Sequence, residues 1–444
     1  MRKMKDSGVE WIGEVPESWY VSKLKYLFAD GDNGLKIGPF GSAIRGKTLE
    51  EGPYKIYNQA HLIQNDFNLN RHFVSEETYQ QLASYRVKPG DVLFSMMGTI
   101  GKCRIMPDGY PEGIMDSHLL KAGLNQKILP EFFVYAYDKD YSEQVISQLL
   151  YASNGTIMNG LNSTILKSVV IAVPPIEKQR KIVKYLDEKC SKIDAIIARQ
   201  EEIIEKLKKF QGSLISETVR RGLHMDVECK DSGYDFIGNI PTHWETCRLR
   251  NIGIPQNGIS KGAEFFGHGY PFVSYGDVYR NYSLPETVSG LIDSTEKERE
   301  LYSVQKGDIF FTRTSETIEE VGFSCVCEET VENACFAGFL IRVRPYNEKM
   351  YTGYAKYYFR SNHLRYYLVK EMNLVTRASL GQDLLKSMPV LVPPIGEQKE
   401  IAQYLDKKCD QINTEIAKRT KIIEKLRDYK KSLIYEIVTG KKEV

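Results

Sequence analysis

The sequence predicts an α+β protein built as an internal repeat. Two mixed α/β domains are separated by a pair of long helices that form an antiparallel coiled coil with pseudo-twofold symmetry. Three observations predict this. DSGVEWIGEVP at 6–16 returns as DSGYDFIGNIP at 231–241. VPPIEKQRKIVKYLDEKCSKIDAIIARQEEIIEKL at 173–207 returns as VPPIGEQKEIAQYLDKKCDQINTEIAKRTKIIEKL at 392–426. After each Pro-Pro the apolar residues fall into heptads, whereas the intervening segments read as short strands and turns. A period above about 200 residues is too long for a solenoid and indicates two fused copies of one unit.

The first domain spans 1–172, the central helix 173–224, the second domain 225–391 and the C-terminal helix 392–444. The interiors agree only weakly: KPGDVLFSMMGT (88–99) aligns with QKGDIFFTRTSE (305–316), and YKIYNQAHL (54–62) with YPFVSYGDV (270–278). Pro174–Pro175 and Pro393–Pro394 open the helices, because proline is tolerated in a first turn. The first helix offers Ile193, Ile197, Ile204, Leu207 and Leu214 to a seam. The second offers Ile412, Ile416, Ile423, Leu426 and Leu433 in the same register. Flanking Ile196, Ile203, Phe210, Ile422 and Tyr429 make the stripe wider than a two-stranded seam, so the helices should pack on something further. Each helix can run about 45 residues, roughly 65–70 Å. Antiparallel pairing would set the domains at opposite ends of a rod and keep Cys190 from bonding Cys409. Gln200, Gln211, Arg419 and Lys430 occupy seam positions, either as polar spots in a wet seam or as register controls.

Composition narrows the function. The 444 residues carry 60 Lys and Arg against 58 Asp and Glu, a net charge of +2. Any nucleic-acid surface must therefore be local. The N-terminus lacks the apolar core of a secretory signal, and no uncharged apolar run reaches about 18 residues, so neither secretion nor membrane insertion is expected. Eight cysteines without a C-x-x-C pair read as reduced thiols. Cys325, Cys327 and Cys335 lack the fourth ligand and paired spacing of a zinc site.

Several enzyme motifs fail on context. Gly41, Gly46, Lys47 and Thr48 spell G-x-x-x-x-G-K-T, but Gly52–Pro53 ends any helix that should follow. Phe265-Phe266-Gly267-His268-Gly269 fits a methyltransferase cofactor loop without a strand before it. The two Pro-Pro pairs lack the amide or carboxylate and the aromatic ring of an amino-methylating motif. His118 beside Asp116 and Ser117 suits a polar contact better than a triad, because triads assemble from distant segments.

Taken together, GPFGS (38–42), PGDVLFS (89–95), GTIGK (98–102) and VPPIEKQRKI (173–182), with KGDIFFT (306–312) and VPPIGEQKEI (392–401), carry a resemblance. The chain resembles the specificity subunit of type I restriction–modification systems over nearly its whole length. The resemblance implies that each globular half is a target-recognition domain reading one part of a split DNA site. It implies that the helices separate these domains and bind two methyltransferase subunits, and that restriction subunits add ATP-dependent translocation. The chain would then be a cytoplasmic, non-catalytic reader of double-stranded DNA. It would bind no cofactor itself, with S-adenosylmethionine and ATP with magnesium on its partners. QNGISKGAEFFGHGY (256–270) replaces GPFGS, and SETIEEVGF (315–323) replaces GTIGK, so the two domains should read different sequences. A coiled-coil scaffold joining two protein-binding domains is the alternative.

Arg suits guanine, and Asn or Gln suits adenine, in the major groove. Candidate contacts in the first domain are Arg45, Lys47, Asn58, Gln59, Ser95, Thr99, Lys102 and Asn159, the last in a loop that also holds Asn154 and Asn162. In the second domain they are Lys261, Tyr275, Arg280, Arg313, Thr314 and Arg377.

Overall fold

The computed structural model describes residues 2–444 apart from 70–71, 98–99, 139, 153–160, 225, 316–320, 347 and 372–377. The chain divides into two compact units that are not contiguous in sequence. The first unit comprises Met1–Gln200 with Thr420–Val444, and the second comprises Glu201–Arg419. Each unit therefore owns one globular region and part of each long helix, Ile176–Arg221 and Ile395–Val438.

In the first unit an antiparallel sheet runs in the order Lys36–Ile37, Leu119–Ala122, Val92–Ser95, Cys103–Ile105. A second sheet runs Phe73–Val74, Tyr54–Tyr57, Gly113–Met115, Arg86–Val87, and its two central strands are parallel. Tyr20–Lys23 pairs with Val170–Val173, and Met4–Asp6 with Glu14–Pro16.

The second unit repeats the plan. Its four-stranded sheet runs Gly253–Asn257, Leu340–Pro345, Ile309–Thr312, Ser324–Val326. Its other sheet has three strands, Gly290–Ile292, Phe266–Val273 and Cys335–Phe336, again with a parallel pair. Glu245–Arg248 pairs with Pro389–Val392, and Cys229–Asp231 with Asn239–Pro241. The continuous apolar runs Val92–Phe94 and Ile309–Phe311 make both central strands wholly buried, as strands covered on both faces must be.

The repeated VPPIxxQ segment has a structural reason. Gln179 is fully buried. Its oxygen accepts the Leu129 N–H at 2.8 Å, while its amide donates to the carbonyls of Lys127 (2.9 Å) and Pro174 (2.8 Å). Gln398 does the same with the Tyr351 N–H (2.7 Å) and the carbonyls of Lys349 (2.7 Å) and Pro393 (2.8 Å). Each glutamine thus pins a helix start to its own domain. One turn or two further on, Tyr135 donates to Asp187 and Tyr357 to Asp406, both at 2.7 Å.

Within each unit the helix segments run antiparallel. In the first, the Lys178 ammonium donates to the Val444 carbonyl (2.6 Å) and Lys430 bonds Asp194 (2.7 Å). In the second, Gln211 bonds Asn413 (3.1 Å), and Gly222 past the end of one helix faces Glu397 near the start of the other. Lys430 and Gln211 thus make cross-helix polar pairs, which favours register control over tolerated polar spots. Arg419 pairs along its own helix with Glu415.

The seam differs from the heptad reading in its middle. Ile193, Ile197, Ile412, Ile423 and Leu433 are buried, but Ile204, Leu207, Leu214, Ile416 and Leu426 are only partly covered. Near the end of the first helix the buried line passes through Ile215 and Val219 instead. The widening residues Ile196, Phe210, Ile422 and Tyr429 are exposed. All eight cysteines carry free thiols, Cys190 and Cys409 among them.

Candidate nucleic-acid interface

Both units build the same corner at one end of the four-stranded sheet. In the first, the Met96 N–H donates to the His118 carbonyl (3.0 Å), and the Leu161 N–H donates to the Met96 carbonyl (2.7 Å). In the second, the Arg313 N–H donates to the Phe339 carbonyl (2.9 Å), and the Leu380 N–H donates to the Arg313 carbonyl (2.7 Å). Met96 therefore corresponds to Arg313, and His118 to Phe339. Gly38 donates to the Leu119 carbonyl (2.9 Å), as Gly258 does to that of Leu340 (3.2 Å). A Cβ on Gly38 would collide with the Asp116 carbonyl, and one on Gly258 with those of Phe336 and Ala337. The first glycine of GPFGS thus has a counterpart after all, kept because only a bare backbone fits that approach.

The side chains at these matching positions differ. The first corner shows Phe40, Met97 and His118 to solvent. The Asp116 carboxylate accepts the His118 N–H at 2.9 Å, with the ring Nδ1 3.3 Å from its other oxygen. Burial raises the Asp116 pKa, opposed by these bonds from His118. The second corner shows Phe339 beside half-buried Arg313 and Thr314. Thr314–Ser315 forms a short ladder with Ala378–Ser379.

The remaining candidates divide by geometry. Arg45 and Lys47 are exposed, and Lys47 reaches Gln81 at 3.1 Å. Arg280 is exposed at the end of the helix Tyr275–Arg280, where Tyr275 stacks on Tyr279. Gln59 is half-buried, 3.4 Å from the Ser95 hydroxyl. Other candidates are held internally. Asn58 caps the helix Gln59–Gln64, as Ser274 caps its counterpart in the second unit. Asn162 caps Ser163–Ser168. Ser95 is fully buried. Lys102 is buried against Asp140, within a cluster where Arg104 bonds Asp138 at 2.7 Å. Lys261 bonds Glu298 (2.7 Å) and the Asp293 carbonyl (2.8 Å). The polar groups of Ser95, Lys102 and Lys261 already have partners within the fold. Thr99, Asn154, Asn159 and Arg377 lie outside the described residues. Sequence reasoning missed Phe40 and Phe339, because aromatic residues next to strands normally signal core.

The enzyme-like motifs resolve into structure. Gly41–Ile44 is a single helical turn that ends before Gly46-Lys47-Thr48, the reverse of a phosphate-cradling loop. Gly267 and Gly269 take φ of +92° and +94° in an irregular strand whose register shifts between Phe266 and Tyr270. Cys325, Cys327 and Cys335 lie in the apolar core, where burial pushes the Cys327 thiol up to about 12. Among the described residues no cluster of three His, Cys, Asp or Glu could hold a metal ion. No helix among them is long and apolar enough to cross a membrane.

Comparison with known proteins agrees with the repeat. The type I restriction modification DNA specificity domain matches twice, over residues 35–209 and 241–425. The type I restriction enzyme MjaX specificity subunit of Methanocaldococcus jannaschii is 27% identical, covering 97% of this chain and 95% of that protein. The EcoKI specificity subunit of Escherichia coli K12 is 25% identical, over 60% of this chain and 58% of its own. Among solved structures, a chain from work on complex assembly and conformational transition of the type I R-M system superposes with a TM-score of 0.69. It is 16% identical, covering 96% of this chain and 99% of that one. The HsdS subunit of Thermoanaerobacter tengcongensis gives a TM-score of 0.50 at 16% identity, covering 96% and 98%.

Proposed function

Because the chain belongs to the type I restriction modification DNA specificity family, we propose that it is the subunit that chooses the DNA sequence. Each unit reads one part of an asymmetric bipartite target through the corner at its sheet end. One observation carries this reading: the two corners share their backbone hydrogen bonds yet present different side chains. Shared backbone with exchanged readers is what recognition of two different half-sites by one fold requires, since base-edge contacts and not the scaffold carry sequence information.

The long helices dock two methyltransferase subunits, and restriction subunits join the assembly. Exposed Ile196, Phe210, Ile422 and Tyr429 supply apolar surface for such contacts. The chain itself performs no catalysis. S-adenosylmethionine, and ATP with magnesium, are held by its partners, and the complex works in the cytoplasm. Expressing the chain with its methyltransferase and mapping methylated adenines tests this. A two-part motif with dissimilar halves is expected. Methylation without a sequence motif, or at a single undivided motif, would refute it.

A further inference from the structure

Phe40 is 88% exposed and Phe339 is 64% exposed. They come from opposite sides of equivalent corners. Phe40 follows Gly38 by two residues, in a loop whose Gly41 faces Ser117, next to His118. Ser260 follows Gly258 by the same two residues and faces Gly338, next to Phe339. One aromatic thus projects from the same place in each unit, supplied by different strands. Neither ring serves the core, and one stands at the equivalent corner of each unit. Basic residues lie close along the chain at both corners: Arg45 and Lys47 follow Phe40, and the backbone N–H of Arg313 donates to the Phe339 carbonyl. Exposed aromatics on corners that also carry basic residues fit nucleic acid.

Resting on the recognition reading above, we propose that Phe40 and Phe339 are specificity-determining residues, each contacting a thymine methyl group in its own half-site. Arg313 and His118 have the donors and acceptors for base edges, so their aromatic neighbours meet the same edges. The apolar group that a major-groove edge offers is the thymine methyl. Both rings are held on backbone fixed by hydrogen bonds, so little ordering cost accompanies contact.

The test uses the chain assembled with its methyltransferase and duplexes carrying the mapped target. Phe40→Ala should weaken binding about fivefold to tenfold. It should also make the complex indifferent to deoxyuridine for thymidine in the first unit's half-site, a change that weakens the wild type. Phe339→Ala should do the same for the other half-site only. Phe→Leu at either position should keep most of the affinity. Both sites are exposed, so melting should be unchanged. Variants that bind the target within twofold of wild type, or a wild type insensitive to every thymidine replacement, would overturn this inference alone. A wild-type complex without sequence preference would overturn the recognition reading as well.

Discussion

Replacing Gln398 by alanine removes three hydrogen bonds at once: one accepted from the Tyr351 N–H and two donated to the carbonyls of Lys349 and Pro393. The glutamine has no solvent exposure, so water does not already compete for these groups. Each bond contributes about 1 kcal/mol net, and the Tyr351 N–H, which belongs to a partly exposed residue, can turn to water once its partner is gone. A loss of about 3 kcal/mol is expected, against a total of roughly 5–15 kcal/mol for a folded domain. For a unit of this size each kcal/mol lowers the melting temperature by about 2–4 °C. Calorimetry should therefore place the second unit's transition about 6–12 °C lower, with the first unit's transition unmoved. Hydrogen exchange gives a local reading, since the Tyr351 amide, at the cap of the helix Thr352–Tyr358, should lose protection well before the amides inside that helix. A melting shift below about 2 °C, or a Tyr351 amide as protected as in wild type, would refute the pinning role.

Three further outcomes are expected. Arg313→Ala should weaken the second unit's half-site by about 1–3 kcal/mol while leaving subunit assembly intact; equal binding to both half-sites, measured by filter retention, would sink the assignment. Ile423→Asp, at a buried seam position, should cost about 3 kcal/mol or more, whereas Ile204→Asp, at a partly covered one, should cost clearly less; equal melting shifts would contradict the burial pattern. Burial pushes the His363 imidazole down to about 3, below the ~6.5 of an unfolded histidine. The unfolded chain then takes up a proton that the folded unit refuses, so stability falls as pH drops below about 6.5. The loss at pH 5 is about 2 kcal/mol, and His363→Gln should flatten the pH dependence of denaturant melting between 7 and 5.

The repeat, the long helices and the Pro-Pro starts were legible because they rest on local pattern and self-similarity. The roles of Gln179 and Gln398 were not, although both glutamines stood in the repeated motif. Their partners, Lys127 and Leu129 or Lys349 and Tyr351, lie about 50 residues away in sequence. Heptad spacing placed the ends of the seam but overstated its middle. Spacing reports which residues face one way, whereas burial depends on how much protein lies on that side. The candidate contacts fared unevenly for a related reason. Arg, Lys, Asn and Ser are chosen by chemistry, and the same chemistry makes good caps and internal ties, as Asn58, Lys102 and Lys261 show. The correspondence of His118 with Phe339 has no trace in residue identity and appears only through the matching hydrogen bonds to Met96 and Arg313.

Those matching bonds separate what the fold needs from what it leaves free. Backbone N–H and carbonyl groups hold the corner in both units, so the side chains at 96 and 313, or at 118 and 339, can change without loss of those bonds. Gly38 and Gly258 have no such freedom, because a Cβ at either would meet a carbonyl of the neighbouring strand. The buried strands Val92–Ser95 and Ile309–Thr312 keep their wholly buried character, and where they differ in volume, as at Leu93 and Phe310, each core is repacked around its own side chains. At the corners, divergence between the copies thus falls on positions where a new side chain alters only the surface it presents. A recognition unit built this way can acquire a new half-site by surface substitution at little cost in stability. That accounts for two corners with one backbone and dissimilar chemistry in a single chain.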